Sequence, residues 1–247
     1  RHGKTMRHEK RRKGRRAGLV AVALLASCVT ALPVAMSGRH STRASDPSSN
    51  ATVRAVKREA SSPGANPDDP WRPLTHYTPK NNWMNDPNGL CFFKGYYHVY
   101  YQYSKEAVGG LKYWGHFRSK DLLNWESLDI FLSPDKDFDK SGVYSGSALV
   151  HEDKLYIYYT GNVKESGDYD YIYEGRQHNT VLVVSEDGMS VESRQVVLYN
   201  RDYPADMSCH VRDPKVFAYD GKFYMVLGAR SKDDKGQVLV YESTDLY

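Results

Sequence analysis

Two markers recur along this chain in the same order, and together they restrict the fold more than any other feature. The first is a hairpin. Residues 89–93 and 96–101 flank Lys94-Gly95, 147–151 and 155–159 flank Glu152-Asp153, and 215–219 and 223–227 flank Asp220-Gly221. Short connections containing Gly or Asp between β-branched and aromatic runs signal a two-stranded hairpin. The second marker follows each hairpin: Ser119-Lys120-Asp121-Leu122, Ser185-Glu186-Asp187-Gly188 and Ser243-Thr244-Asp245-Leu246. The turns lie 58 and 68 residues apart and the serines 66 and 58, which is room for four strands per repeat. Units of that size predict an all-β protein made of β-propeller blades, with a β-sandwich as the competing architecture. About three blades are present, whereas a closed ring needs roughly four to eight. The expectation is therefore an incomplete propeller that stops within its third blade.

Composition fits this reading. Tyr outnumbers Phe and Trp, at 20 against 7 and 4, as expected of β-strands with many wet surfaces. The formal charge of +4 is unevenly spread: residues 1–16 carry +8, 17–70 carry +1 and 71–247 carry −5. A basic whole-chain balance could point to nucleic acid, but the globular part is mildly acidic, so no nucleic-acid partner is expected.

The basic stretch ends at Arg15-Arg16 and is followed by an apolar run over 17–35 and by the small residues Ser37 and Gly38. This order predicts an export signal over 1–37. Leu25-Ala26-Ser27-Cys28 resembles a bacterial lipobox, and an uncleaved anchor is the third reading. The expected location is secreted or cell-surface anchored, with membrane contact only through that signal or a lipid. Residues 38–70, rich in Ser, Ala, Pro, Asn and Asp, read as a flexible linker, and 71–247 as the propeller domain. Export would permit a Cys91–Cys209 disulfide without establishing one. No His/Cys spacing suits a metal, and no cofactor is implied.

In a propeller the innermost strands converge on a central channel, so residues near the start of each can share a pocket. Asp86 lies nine residues before the turn glycine Gly95, Ser145 eight before Asp153 and Asp213 eight before Gly221. Two carboxylates 127 residues apart are thereby expected to face one cavity. Such a pair suits glycosidic cleavage, in which one carboxylate attacks or stabilises an oxocarbenium-like centre. The alternative is that Asp-Pro-Asn-Gly is a turn and Asp86 merely binds backbone amides there.

The local motifs add a family. Trp83-Met84-Asn85-Asp86-Pro87-Asn88-Gly89, Tyr144-Ser145-Gly146-Ser147 and Arg212-Asp213-Pro214 occur in order and closely resemble signatures of glycoside hydrolase family 32, the invertase and inulinase group. The resemblance implies a five-bladed propeller that cleaves terminal β-fructofuranosyl residues with retention, acting on sucrose, phosphorylated sucrose or fructan. It also implies that Asp86 is the nucleophile and Asp213 the transition-state stabiliser, supported by Arg212. Asn85, Gln102, Trp114, Tyr144 and Ser145 would form the fructose pocket. The family's acid/base glutamate, in a Glu-Cys signature, has no match in the 34 residues after Asp213. Glu242 belongs to the repeated Ser-x-Asp element and is not assigned that role. The chain is accordingly expected to be inactive by itself. A fructan-binding or degenerate propeller, a fructosyltransferase, an arabinan-cleaving propeller and a gene fragment that never folds are the competing readings. His76, His116 and His210 are expected to be structural. Asp168 and Asp170 are expected to be solvated, and Asp202 and Asp206 to lie at the rim.

Overall fold

The computed structural model describes Trp71 and residues 76–247, so the expected leader, lipidation site and linker lie outside the described residues. Contacts divide the chain into Arg1–Arg54 and Ala55–Tyr247, and every described residue belongs to the second unit. Its strands are β1 (Trp83–Phe93), β2 (Tyr96–Ser104), β3 (Tyr113–Ser119), β4 (Trp125–Leu132), β5 (Val143–His151), β6 (Lys154–Lys164), β7 (Arg176–Ser185), β8 (Ser193–Leu198), β9 (Met207–Tyr219), β10 (Lys222–Ser231) and β11 (Gly236–Ser243). They form sheets in the orders β1-β2-β3-β4, β5-β6-β7-β8 and β9-β10-β11, with every pairing antiparallel. Strand β5 packs against both β1 and β9. The first strand of each sheet is thus the inner one, and the sheets are successive propeller blades rather than the layers of a sandwich.

The three expected hairpins close through two-residue turns. Lys94-Gly95, Glu152-Asp153 and Asp220-Gly221 have φ of 45° and 82°, 47° and 60°, and 49° and 72°. Positive φ at both central residues defines a type I′ turn, whose twist matches that of the flanking strands. The Ser-x-Asp elements cap the turns that leave β3, β7 and β11. Ser119 Oγ accepts the Asp121 and Leu122 N–H groups, and Asp121 Oδ1 accepts those of Leu123 and Asn124. Ser185 and Asp187 repeat this at Gly188, Met189 and Ser190. A fourth such turn, Ser231-Lys232-Asp233, closes the opposite end of the third blade.

The two markers are physically linked. The Tyr100 hydroxyl, five residues after the first turn glycine, donates to the Gly188 carbonyl at 2.7 Å. The Tyr158 hydroxyl, at the same offset in the second blade, donates to the Leu246 carbonyl at 2.7 Å. Each acceptor is the fourth residue of the next blade's Ser-x-Asp element, so one blade is fastened to the next by a repeated bond. Gly188 is required for this approach: its φ is +73°, and a Cβ there would stand 2.9 Å from the His98 ring. Between the first two blades Tyr100, Trp114, Leu132, Ile157, Tyr159 and Val181 form the largest core. Side chains of this size stabilise by roughly 1.5–3 kcal/mol each when fully buried. Smaller clusters built on Tyr158, Val216 and Leu246 and on Met207, Val211 and Leu227 hold the second and third blades. Among the described residues no helix is long and apolar enough to cross a membrane.

Candidate active site

The inner strands lose their regular ladder at equivalent places. In β1, Met84 pairs with Tyr103 and Pro87 with Tyr101, so Asn85 and Asp86 together oppose Gln102. In β9, Arg212 pairs with Gly228 and Lys215 with Val226, so Asp213 and Pro214 oppose Leu227. In β5, Ser145 is the unpaired residue between Tyr144 and Gly146. Each is a β-bulge, which turns a side chain out of the alternating pattern and commonly re-aims it towards a site. The Asp-Pro-Asn-Gly run is therefore bulged strand and not a free turn. Gly146 completes the second bulge, because a Cβ there would come within 1.8 Å of the Tyr158 carbonyl oxygen.

These bulges bring the expected residues together. The Ser145 hydroxyl donates to Asp86 Oδ2 at 2.8 Å. The Asp213 N–H donates to Thr160 Oγ1 at 3.0 Å, and Thr160 is the register partner of Tyr144. Asp213 holds φ of 61°, a left-handed backbone that a non-glycine residue adopts at a cost. Burial raises the Asp213 pKa first of all, Arg212 opposes the shift, and the Asp86 charge adds to it. The side chain keeps access to water, but the neighbouring strands remove enough solvent to disfavour its charge.

The remaining expected residues divide. Asn85 is half-buried and its Oδ1 accepts the Trp83 indole N–H at 2.8 Å. Tyr144 and Arg212 are half-buried beside the bulges. The Arg212 guanidinium donates to His210 Nδ1 at 2.6 Å. That direction holds because burial, with Arg212, Arg176 and Arg230 near, pushes His210 down to about 4 and leaves its imidazole neutral. Gln102 is buried, and its amide N–H is committed to the Val143 carbonyl at 2.9 Å. Trp114 is where the structure corrects the sequence reading: it is 0% exposed, packed between Tyr100 and Tyr159, with its indole N–H donated to the Tyr144 carbonyl. It packs in the core between the first two blades and presents no surface to a ligand.

Of the lesser candidates, His116 is a core residue bonded to His98 at 2.9 Å, and burial holds it at about 3. Asp170 organises its loop by accepting the Ile172 and Tyr173 N–H groups. Asp202 accepts the Tyr199 N–H, and the Asp206 carbonyl accepts that of Lys232. Cys91 and Cys209 are both free, and burial pushes the Cys91 thiol up to about 12. Glu242 lies on β11, exposed, with both oxygens 3.2 Å from Lys222 Nζ. Among the described residues no cluster of His, Cys, Asp and Glu could hold a metal ion. Sequence reasoning missed Thr160 and His178. The His178 ring is fully buried, 5.7 Å from that of Tyr144 and 5.8 Å from that of His210. Nothing in a lone histidine of an apolar strand marks it as a neighbour of the site.

Similarity to known proteins matches this geometry. The model of the glycosyl hydrolases family 32 N-terminal domain matches residues 76–247. Sucrose-6-phosphate hydrolase of Bacillus subtilis (strain 168) is 41% identical over 179 residues, which is 72% of this chain and 36% of that protein. Raffinose invertase of Escherichia coli is 39% identical over 179 residues, 71% of this chain and 36% of that one. Among solved structures, a family 32 β-fructofuranosidase of Bombyx mori superposes with a TM-score of 0.60 at 36% identity, covering 71% of this chain and 36% of its own. The chain thus spans little more than a third of the length of these relatives. Its three sheets are blades of the five-bladed propeller of this family, and the chain belongs to glycoside hydrolase family 32.

Proposed function

We propose that this chain carries the nucleophile half of a retaining β-fructofuranosidase site. In this reading Asp86 attacks the anomeric carbon of a terminal fructosyl unit, and the bond to the leaving oxygen breaks as the ester to Asp86 forms. Asp213 accepts sugar hydroxyls and stabilises the positive charge that develops on the ring. Asn85, Tyr144 and Arg212 line the fructose pocket, and Ser145 orients Asp86. The observation that carries the reading is the Ser145–Asp86 hydrogen bond at 2.8 Å. It ties the bulge of β1 to that of β5, and the Asp86 charge is one of the groups that raise the Asp213 pKa. Glu242 is paired with Lys222 on the outer strand and does not serve as proton donor. General acid help is worth about 10²–10⁴-fold, so sucrose turnover by this chain is expected to be negligible.

An activated fructoside needs no acid, which gives a direct test. Treated with p-nitrophenyl β-D-fructofuranoside, the full chain is expected to release nitrophenol in a burst. The protein should then gain the mass of one fructosyl unit on Asp86, by mass spectrometry. No adduct, or an adduct that persists in Asp86→Ala, sinks the assignment. The binding-only reading has one prediction of its own, ligand affinity without any adduct.

A further inference from the structure

The bulge of β9 leaves backbone that its own sheet does not hold. Arg212 pairs with Gly228 and Lys215 with Val226, so the ladder to β10 passes over Asp213 and Pro214. Pro214 has no N–H, and the Asp213 N–H must be satisfied from outside the sheet. The second blade supplies the partner: Thr160 Oγ1, on β6, accepts that N–H at 3.0 Å. Three residues on, the Val216 N–H is donated to Ser147 Oγ, on β5, at 3.1 Å. Two hydroxyls of the second blade thus bracket the bulge, one at Asp213 and one just past Pro214.

Both hydroxyls are withdrawn from water. Thr160 is 1% exposed and Ser147 7%. Thr160 shares a face of β6 with Tyr158, which packs with Leu182 and Val216. A valine has nearly the same shape and would bury no polar atom, so a threonine there is offset only by what its oxygen binds. What it binds is strained: Asp213 holds φ of 61°, which persists in a non-glycine residue only where the surroundings fix it. The same strand pair also reaches the other carboxylate. Thr160 is the register partner of Tyr144, and the next residue, Ser145, donates to Asp86 Oδ2. Strands β5 and β6 therefore grip the bulge of the blade before them and the bulge of the blade after.

We infer that Thr160 is the positioning residue for Asp213. Through its hydroxyl, with Ser147 as a second clamp, the second blade fixes the backbone from which that carboxylate reaches the sugar. This role rests on the fructoside reading above and deepens it: Thr160 touches no substrate, and its effect passes through the aim of Asp213.

Thr160→Val keeps the branched shape and removes the acceptor, whereas Thr160→Ser keeps the acceptor. Two measurements on the full chain separate the clamp from the reaction. Amide hydrogen exchange reports the clamp: the Asp213 N–H is expected to lose protection in Thr160→Val and to keep it in Thr160→Ser. Adduct formation from p-nitrophenyl β-D-fructofuranoside reports the consequence. Thr160→Val should lower its limiting rate about tenfold, a part of what loss of a whole stabilising group costs. The half-saturating concentration should move by less than about threefold, because the other contacts of the pocket stay. Thr160→Ser should bring the rate back to within about twofold of wild type, and Thr160→Val should add less than that in an Asp213→Ala background, where no carboxylate is left to aim. Unchanged protection at Asp213, an unchanged rate in Thr160→Val, or an undiminished loss in the Asp213→Ala background overturns the positioning role and spares the nucleophile. A wild-type chain that forms no adduct sinks the fructoside reading, and the exchange data alone then decide whether Thr160 holds the bulge. Ser147→Ala, which frees the Val216 N–H, should give the same pattern at about threefold. Should Thr160→Val fail to fold, that variant carries the test, and no change in either measurement would overturn the clamp.

Discussion

Asp139 and Asp213 both have raised pKa values led by burial, yet they sit in opposite kinds of surroundings. Asp139, in the segment between β4 and β5, is 0% exposed and fully engaged. Its carboxylate accepts the Tyr159 hydroxyl at 2.5 Å, the Lys136 N–H at 3.1 Å and the Arg194 guanidinium. Arg194 in turn donates to the Tyr159 hydroxyl, to Asp135 and to the Ser133 carbonyl. Nothing is left over for a ligand. Asp213 has Arg212 beside it and the Asp86 charge opposite, a backbone held at positive φ, and a side chain that water still reaches. A shifted pKa alone does not mark a functional carboxylate. Unspent hydrogen-bonding capacity in a strained, accessible place does.

That contrast can be broken by substitution. Asp139→Ala should cost about 1–3 kcal/mol, because it leaves the buried Tyr159 hydroxyl without its acceptor and takes one of two carboxylates from Arg194, and a drop in the denaturation midpoint would be the readout. A change below about 1 kcal/mol would mean that Asp139 is no anchor. Asp213→Asn should instead leave the midpoint nearly unmoved while slowing formation of the fructosyl adduct about 10²–10³-fold, as for loss of one stabilising group. If the two substitutions exchanged these effects, the roles assigned here would be inverted.

Between these extremes lies the blade fastening. Tyr100→Phe removes the donor from the buried Gly188 carbonyl, so a loss of about 1 kcal/mol is expected, with Tyr158→Phe similar at Leu246. Chemical denaturation of each variant measures it, and no change in either would make the bond incidental.

The smallest effect concerns pH. A carboxyl with a raised folded pKa penalises the fold once ionised, and the penalty grows as pH rises from the unfolded value, about 3.9, through the folded one. Asp213→Asn should therefore stabilise slightly at neutral pH, by under about 1 kcal/mol given its access to water. The gain should vanish in acid, where both states are protonated. A benefit that increased towards low pH would contradict the raised pKa.

The hairpins were legible because Lys94-Gly95, Glu152-Asp153 and Asp220-Gly221 are local signals, each fixed by residues adjacent in the chain. The shared offset of Asp86, Ser145 and Asp213 was legible because the repeat carries it. The bulges themselves were not, since two residues opposing one is a property of a strand pair and leaves no mark in either strand. Trp114 read as a pocket wall because its motif resembles one. Its burial depends on Tyr100 and Tyr159, the latter 45 residues away and one blade over. The Asp139–Arg194 pair, 55 residues apart, was invisible for the same reason.

The tyrosine fastening has a consequence for how such a chain can be rearranged. Donor and acceptor are separated by 88 residues in both instances. The first two blades therefore each hold a hook for the unit after them, and the second and third each hold an eye for the unit before, while the third has Val226 at the hook position. A segment excised or duplicated between corresponding points leaves every hook facing an eye, whereas a cut at any other phase leaves one of each unmatched. The natural unit of exchange in this architecture is thus the length of chain between equivalent tyrosines, and chimaeras joined in that phase should keep the buried carbonyl satisfied at the new seam.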